Sequence, residues 1–269
     1  MQAERRRSGP KRAQGARPEQ PAPDPAGVLL VDKPAGITSH DVVERLRRTF
    51  GWRKVGHAGT LDPIGTGVLV ILVGRATRAQ EHFINDDKEY RFRMRFGLET
   101  TTHDLDGEMV RELPGPLAIE RQSLEAVLAE FRGEIEQLPP MVSALKHRGK
   151  PLYKYARRGV EIPREPRRIT VHALELLEFQ GREAELRIAC SKGTYVRTLA
   201  HDIGQRLGVG ACLTALRRTR SGAFTEADLY PLERLCELRP EEVFYLLKPV
   251  SEALAARDTA REPPLRSPR

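Results

Sequence analysis

Residues 56–73 read GHAGTLDPIGTGVLVILV, and no other segment restricts the fold as much. Four glycines (Gly56, Gly59, Gly65, Gly67) surround a single carboxylate, Asp62, and an unbroken apolar run follows from Val68 to Val73. Glycine opens the left-handed backbone region and lets another group approach the chain closely. A run without polar alternation suits a strand buried on both faces. The segment therefore reads as a tight loop presenting one acid at the edge of a buried strand. Taken alone, Asp62-Pro63 is also a plain turn, because Asp favours turn starts and Pro fixes the next φ.

The rest of the chain supplies a setting for that loop. It has 269 residues, 39% hydrophobic and 30% charged, enough for one large domain with or without a small appendage. The net charge of +8 points to a polyanionic partner, nucleic acid being the commonest. Cys190, Cys212 and Cys236 are widely spaced and form no CxxC pair, so neither a zinc site nor a disulfide framework is indicated, and a reducing cytoplasm is expected. No apolar stretch approaches the roughly 20 residues needed to span a bilayer, so no membrane role is expected.

Residues 1–26 are rich in Arg, Pro, Ala and Gly and are expected to form a disordered basic arm; residues 256–269 have a similar composition. Between them, 27–230 is expected to be the main domain and 231–269 a short extension and tail without a full accessory RNA-binding module. Val28–Val31 is a short strand. Thr38 and Asp41 have capping-box spacing ahead of a helix with Val42, Val43, Leu46 and Phe50 on one face, stopped by Gly51. Residues 90–96 alternate Tyr90, Phe92, Met94 and Phe96 against Arg91, Arg93 and Arg95; that arginine face is either solvated or meets phosphate. Ser123–Phe131 reads as a short amphipathic helix. Ile169–Phe179 and Ala184–Cys190 read as a hairpin across Gln180-Gly181. Val196, Leu199, Ile203 and Leu207 mark a helix ending at Gly208. Strands and helices mix without a βαβ rhythm, so the expected class is α+β, a mixed, largely antiparallel sheet with flanking helices.

The string GHAGTLDP…GTGVL closely resembles the catalytic motif of the TruB family of tRNA pseudouridine synthases. GVLLVDKPAGITSHDVV (27–43), QLPPMVSALKHRGKPLYKYARRG (137–159) and CSKGTYVRTLAHDIG (190–204) resemble further motifs of that family, and the resemblance covers about residues 27–230. It implies the pseudouridine synthase fold and conversion of uridine to pseudouridine at position 55, in the T loop of tRNA. It also implies that Asp62 is the catalytic carboxylate and that Arg197 pairs with it. Tyr90, in Lys88-Glu89-Tyr90, would stack on the target base. Lys88, Tyr195 and Leu216 would be further pocket residues, and His57 would help displace the base. Lys33 lies in the first motif and reads as structural.

The chemistry agrees with this assignment. Pseudouridine formation is an isomerisation that adds no group and changes no redox state, so no cofactor or metal is expected. It needs a carboxylate acting as nucleophile or base, at the sugar or at the pyrimidine. A carboxylate in a dry pocket is pushed toward its neutral form, and a neighbouring cation keeps it ionised. The expected partner is the tRNA T arm, with no obligate protein partner evident. One residue departs from the family pattern: Val142 stands where an aromatic is usual before Ser143-Ala144. Three other readings fit parts of the sequence. Gly65-Thr66-Gly67 invites a dinucleotide site, but the third glycine is missing (Val70) and a strand, not a helix, follows. A non-catalytic RNA-binding protein would share the charge but would not need Asp62, Tyr90 and Arg197 together. A pseudouridine synthase acting on ribosomal or messenger RNA would look the same in sequence.

Overall fold

A computed structural model describes residues 25–261 of the protein. The expected basic arm therefore lies almost entirely outside the described residues. The first half contains β1 (Gly27–Lys33), α1 (Ser39–Phe50), β2 (Val55–Ala58), β3 (Gly65–Val73), α2 (Gln80–Ile84), β4 (Lys88–Phe96), β5 (Leu98–Thr100), β6 (Met109–Glu112) and α3 (Arg121–Glu130). There follow β7 (Gly133–Gln137), β8 (Lys146–His147), β9 (Lys150–Pro151), α4 (Leu152–Ala156), β10 (Arg167–Gln180), β11 (Glu183–Cys190) and α5 (Val196–Arg206). The chain then forms β12 (Ala211–Ser221), β13 (Phe224–Thr225), β14 (Tyr230–Pro231), α6 (Leu232–Glu237), α7 (Pro240–Phe244) and α8 (Val250–Arg261).

One large sheet runs in the order β14-β1-β3-β12-β4-β11-β10-β7, with β2 added on β3 and β13 on β12. Its pairings are antiparallel except β1 with β14 and β3 with β12. The mixed, largely antiparallel α+β class read from the sequence is the observed one. Strand β3 is buried on both faces, as its apolar run requires. Leu69, Ile71 and Val73 pack with α1 and α6, and Val68, Val70 and Leu72 pack with Phe83, Phe224 and Ala253. A third core lies under β4, β10, β11 and β12, closed by α3 and α5.

The local expectations hold in detail. Thr38 and Asp41 form a reciprocal capping box on α1, and Gly51 ends that helix in the left-handed conformation. Strand β4 buries Tyr90, Phe92, Met94 and Phe96 and exposes Arg91 and Arg93. Those two arginines both pair with Glu185, and Arg95 pairs with Glu112, so this face is a solvated ion-pair ladder. The β10–β11 hairpin turns at Gly181, and Gly208 sits beyond the end of α5 with φ of 75°. Helix α3 starts two residues before the expected Ser123.

The C-terminal reading needs a correction. Residues 256–261 were expected to be tail, but they complete α8, where buried Arg257 pairs with buried Asp86 at 2.7 Å. Composition missed this because the helix is anchored by one long-range ion pair and by Val250, Ala253 and Leu254 packing on a distant core. The extension is also tied to the sheet, as β14 pairs with β1 and Val28 exchanges backbone hydrogen bonds with Lys248. Among the described residues no helix is long and apolar enough to cross a membrane.

Candidate active site

Asp62 lies on the loop between β2 and β3, at the place where the two parts of the sheet meet along β3 and β12. Leu216 of β12 pairs with Gly65, and Arg218 pairs with Gly67. Gly67 has φ of 90°, and a Cβ there would lie 2.3 Å from the Arg218 carbonyl oxygen, so only glycine allows the strands to meet. The loop is held from three sides. The Gly65 amide donates to the Asp62 carbonyl at 2.9 Å. Ser39, at the start of α1, accepts from the Leu61 amide and donates to its carbonyl, at 2.8 and 3.1 Å. Buried Lys33 donates to the carbonyls of Pro34, Pro63 and Gly65, which gives its expected structural role a geometry. Burial lowers the Lys33 pKa to about 8, while Asp62 opposes that shift.

Arg197, in the first turn of α5, faces Asp62 with two prongs. Its Nε lies 3.1 Å from Oδ2 as an ion pair without hydrogen-bond geometry, and a terminal nitrogen donates to Oδ1 at 3.4 Å. The guanidinium is 2% exposed, whereas the Asp62 side chain keeps 30% of its surface open to a cavity. Its other donors reach the Thr102 carbonyl at 3.4 Å, the Val142 carbonyl, and Asp104 Oδ2 at 3.8 Å. Burial pushes the Asp62 pKa above the ordinary carboxylate range. Arg197 pulls it down, the Asp104 and Asp106 carboxylates push it up, and Lys33 pulls weakly down. Arg197 is therefore the largest influence favouring the ionised form.

The cavity has a volume of about 530 Å³, and Asp62, Lys88, Tyr90, Tyr195, Leu216 and Arg218 all line it. That volume suits a small molecule or a single nucleotide. Tyr90 is buried in the wall, and burial raises its pKa against the pull of nearby Arg218. Tyr195 caps α5, and its backbone is gripped at both ends by the Gln137 side chain, at 2.8 and 3.0 Å. Its ring lies 5.9 Å from the Arg197 guanidinium carbon.

Lys88 and His57 each have further surroundings. The ammonium of Lys88 donates to the carbonyls of Ile84 (2.6 Å) and Asp86 (2.5 Å), so it shapes the loop after α2 as well as lining the cavity. His57 sits on β2 opposite Ile71, half-buried and outside the cavity lining. Burial and Arg218 hold its pKa down at about 4, so it is neutral at neutral pH.

Two further residues escaped the sequence reading. Asp104 is buried beside Arg197, yet its TTHDLDG context looks like an ordinary turn. Arg218 is 1% exposed and donates to the carbonyls of Val68 (2.6 Å) and Gly59 (3.1 Å). Its alternation with Leu216 along β12 was the signal that could have found it. A second cavity, of about 330 Å³, touches Arg91, Arg93 and Glu185, so its cations are already paired.

Known proteins resemble this chain in sequence and in fold. Residues 47–196 match the family model described as TruB family pseudouridylate synthase (N terminal domain), and residues 197–255 match that of the tRNA pseudouridylate synthase B C-terminal domain. A tRNA pseudouridine synthase B of Chromobacterium violaceum is 52% identical over 209 residues, covering 78% of this chain and 68% of the relative. One from Opitutus terrae is 48% identical over 234 residues, covering 87% and 97%. Among solved structures, a chain of a Cbf5-Nop10-Gar1 complex aligns with a TM-score of 0.66 at 33% identity, covering 86% of this chain and 62% of that one. A chain of an H/ACA RNP bound to a substrate RNA containing 2'-deoxyuridine aligns at 0.64 and 30% identity, covering 86% and 61%, so this chain spans under two thirds of either solved chain. With family models matching both halves and relatives near 50% identity over most of its length, the chain belongs to the TruB family of pseudouridylate synthases.

Proposed function

We propose that this protein converts uridine to pseudouridine at position 55, in the T loop of tRNA, with Asp62 as the nucleophile or base and Arg197 as its charge partner. The observation that carries this reading is the two-pronged Asp62–Arg197 pair, which opens from the protein side into a cavity walled by Tyr90. A base within a stacked loop cannot reach a carboxylate set this deep, so the uridine must be turned out of the RNA. The Tyr90 ring offers a stacking face, and Leu216 and Tyr195 close the pocket around the base. The sugar C1′–N1 bond breaks, the base turns, and C1′ bonds to C5. The C5 proton leaves and N1 gains one, so the atoms balance without a co-reactant. Arg197 keeps Asp62 ionised for this step, against the burial that would neutralise it. The same reading makes the T arm the recognised part of the substrate, and the cytoplasm the place where it is met.

The test is tritium release from a T-arm RNA labelled at carbon 5 of uridine, since forming the new bond expels that hydrogen. The parent protein should release it, and Asp62→Ala should lose on the order of 10³-fold or more in rate while still binding RNA. Release within tenfold of the parent by Asp62→Ala would remove Asp62 from the reaction. Binding without any release by the parent would make this an RNA-binding protein of the same fold.

A further inference from the structure

Helix α5 presents Arg197, His201 and Gln205 at intervals of four, hence on one face. Each meets the segment that includes β5 and the loop after it. Arg197 reaches the Thr102 carbonyl and the Asp104 carboxylate. Gln205 donates to Glu99. Between them, the rings of His201 and His103 stack with centroids 3.9 Å apart and planes within 3°. The Nδ1 atoms of both rings are buried without a hydrogen-bond partner, so ring-on-ring contact, not hydrogen bonding through those atoms, joins helix to loop here. His103 has φ of 65°, and only one other non-glycine among the described residues, Arg148, has a positive φ. A left-handed histidine stores backbone strain, which surrounding contacts must hold in place. Those contacts are the stack and the Leu213 amide, which donates to the His103 carbonyl at 2.9 Å. Within the loop, Thr100 and Thr102 donate to the Asp104 carbonyl and carboxylate, at 2.6 and 2.5 Å, and so tie residues 100–104 to one another.

We propose that His103 and His201 are positioning residues for the reaction: their stack holds residues 102–104 against α5 and thereby fixes the Arg197 guanidinium toward Asp62. The inference rests on the reading of Asp62 and Arg197 as the catalytic pair. At neutral pH both rings are neutral. Burial, His201, Arg197 and Arg164 hold the His103 pKa down at about 4, and burial lowers that of His201 while Glu99 opposes. The stack is therefore free of like-charge repulsion under working conditions.

A purely structural role and a positioning role differ in their signature. The charges facing Asp62 are Arg197, Lys33, Asp104 and Asp106, and the two carboxylates both raise its pKa. Freeing the loop loosens Arg197, which raises the Asp62 pKa, and carries Asp104 away and admits water, which lower it, so a positioning role shows as a changed Asp62 midpoint. The acid limb of the rate profile should then shift, while loss of global stability alone would only scale the rate.

The experiment compares His201→Ala, His201→Phe and His103→Asn, since asparagine tolerates the left-handed backbone. His201→Ala and His103→Asn should lower kcat about tenfold with KM for a T-arm RNA unchanged, and should shift the acid limb. His201→Phe keeps a ring on His103 and should restore kcat to within about twofold of the parent. A substrate-free measurement accompanies these, titration of the carbon-13-labelled Asp62 carboxyl by NMR, with a shifted midpoint expected in the two stack-breaking variants and not in His201→Phe. The proposal is overturned if the stack-breaking variants keep the parent kcat, if His201→Phe is as impaired as His201→Ala, or if Asp62 titrates at the parent midpoint in all three. A parent that releases no tritium would overturn the proposed function, and the Asp62 titration would still decide the role of the stack.

Discussion

Asp62→Asn should disable the protein and make it more stable. Asparagine has the shape of the neutral carboxyl form of Asp62 and none of its charge. In the folded protein, burial lifts the Asp62 pKa, and the pull of Arg197 only partly offsets that lift. With the folded value above the unfolded one, the stability Asp62 contributes is full below the unfolded pKa and is lost as pH rises through the folded pKa. At pH 7 the native state therefore carries the penalty of a desolvated charge, and each unit of upward shift is worth about 1.4 kcal/mol. Asparagine removes that penalty. It does not strand Arg197, which keeps Asp104 and the carbonyls of Thr102 and Val142. The expected result is a higher Tm for Asp62→Asn than for the parent at pH 7. The cost in rate is at least about 10³-fold, or roughly 4 kcal/mol of transition-state stabilisation. Thermal unfolding followed from pH 8 down to about pH 4, near the unfolded carboxylate value, beside tritium release at neutral pH, measures both. The Tm advantage of Asp62→Asn should shrink as pH falls. A Tm at pH 7 below that of the parent, or an advantage independent of pH, would refute the reasoning, because either would mean that the Arg197 pair outweighs the desolvation it relieves.

Three further outcomes are expected. Arg197→Lys replaces a planar fork contacting two carboxylates and two carbonyls by a single point charge, so kcat should fall by about 10²-fold or more with the far-UV spectrum unchanged, and near-parental turnover would contradict the two-pronged pairing. Tyr90→Phe should retain more kcat/KM than Tyr90→Leu, stacking being worth about 1–3 kcal/mol, and equal losses would remove the stacking role. Gly67→Ala should destabilise by about 3 kcal/mol or more in urea unfolding, because its Cβ would meet the Arg218 carbonyl oxygen at 2.3 Å; an unchanged midpoint would mean that β3 and β12 can part without cost.

What could be read directly from the residues is whatever depends on neighbours a few positions apart. The Thr38–Asp41 cap, the alternation of β4, the turn at Gly181 and the glycine-framed loop at Asp62 follow from periods of two and four and from the φ preferences of single residues. The motif strings named the carboxylate, the arginine and the tyrosine because those residues sit inside recognisable runs. The apolar run of β3 also announced that both of its faces would be covered. Pairings between distant segments lay beyond such reading. That Arg197 meets Asp62 across 135 positions depends on how α5 is laid against the β3–β12 junction, and a lone arginine early in a helix carries no mark of its partner. Asp104 looked like a turn residue until the fold placed it beside that guanidinium. The arginines of β4 looked able to meet phosphate until register set Glu185 and Glu112 against them. Residues 256–261 looked like tail until Arg257 found Asp86, because composition weighs residues singly while a buried ion pair is a property of two segments brought together. The physical division is that local periodicity is written in the chain, whereas the neutralisation of each charge is decided only when strand register and helix packing choose its neighbours.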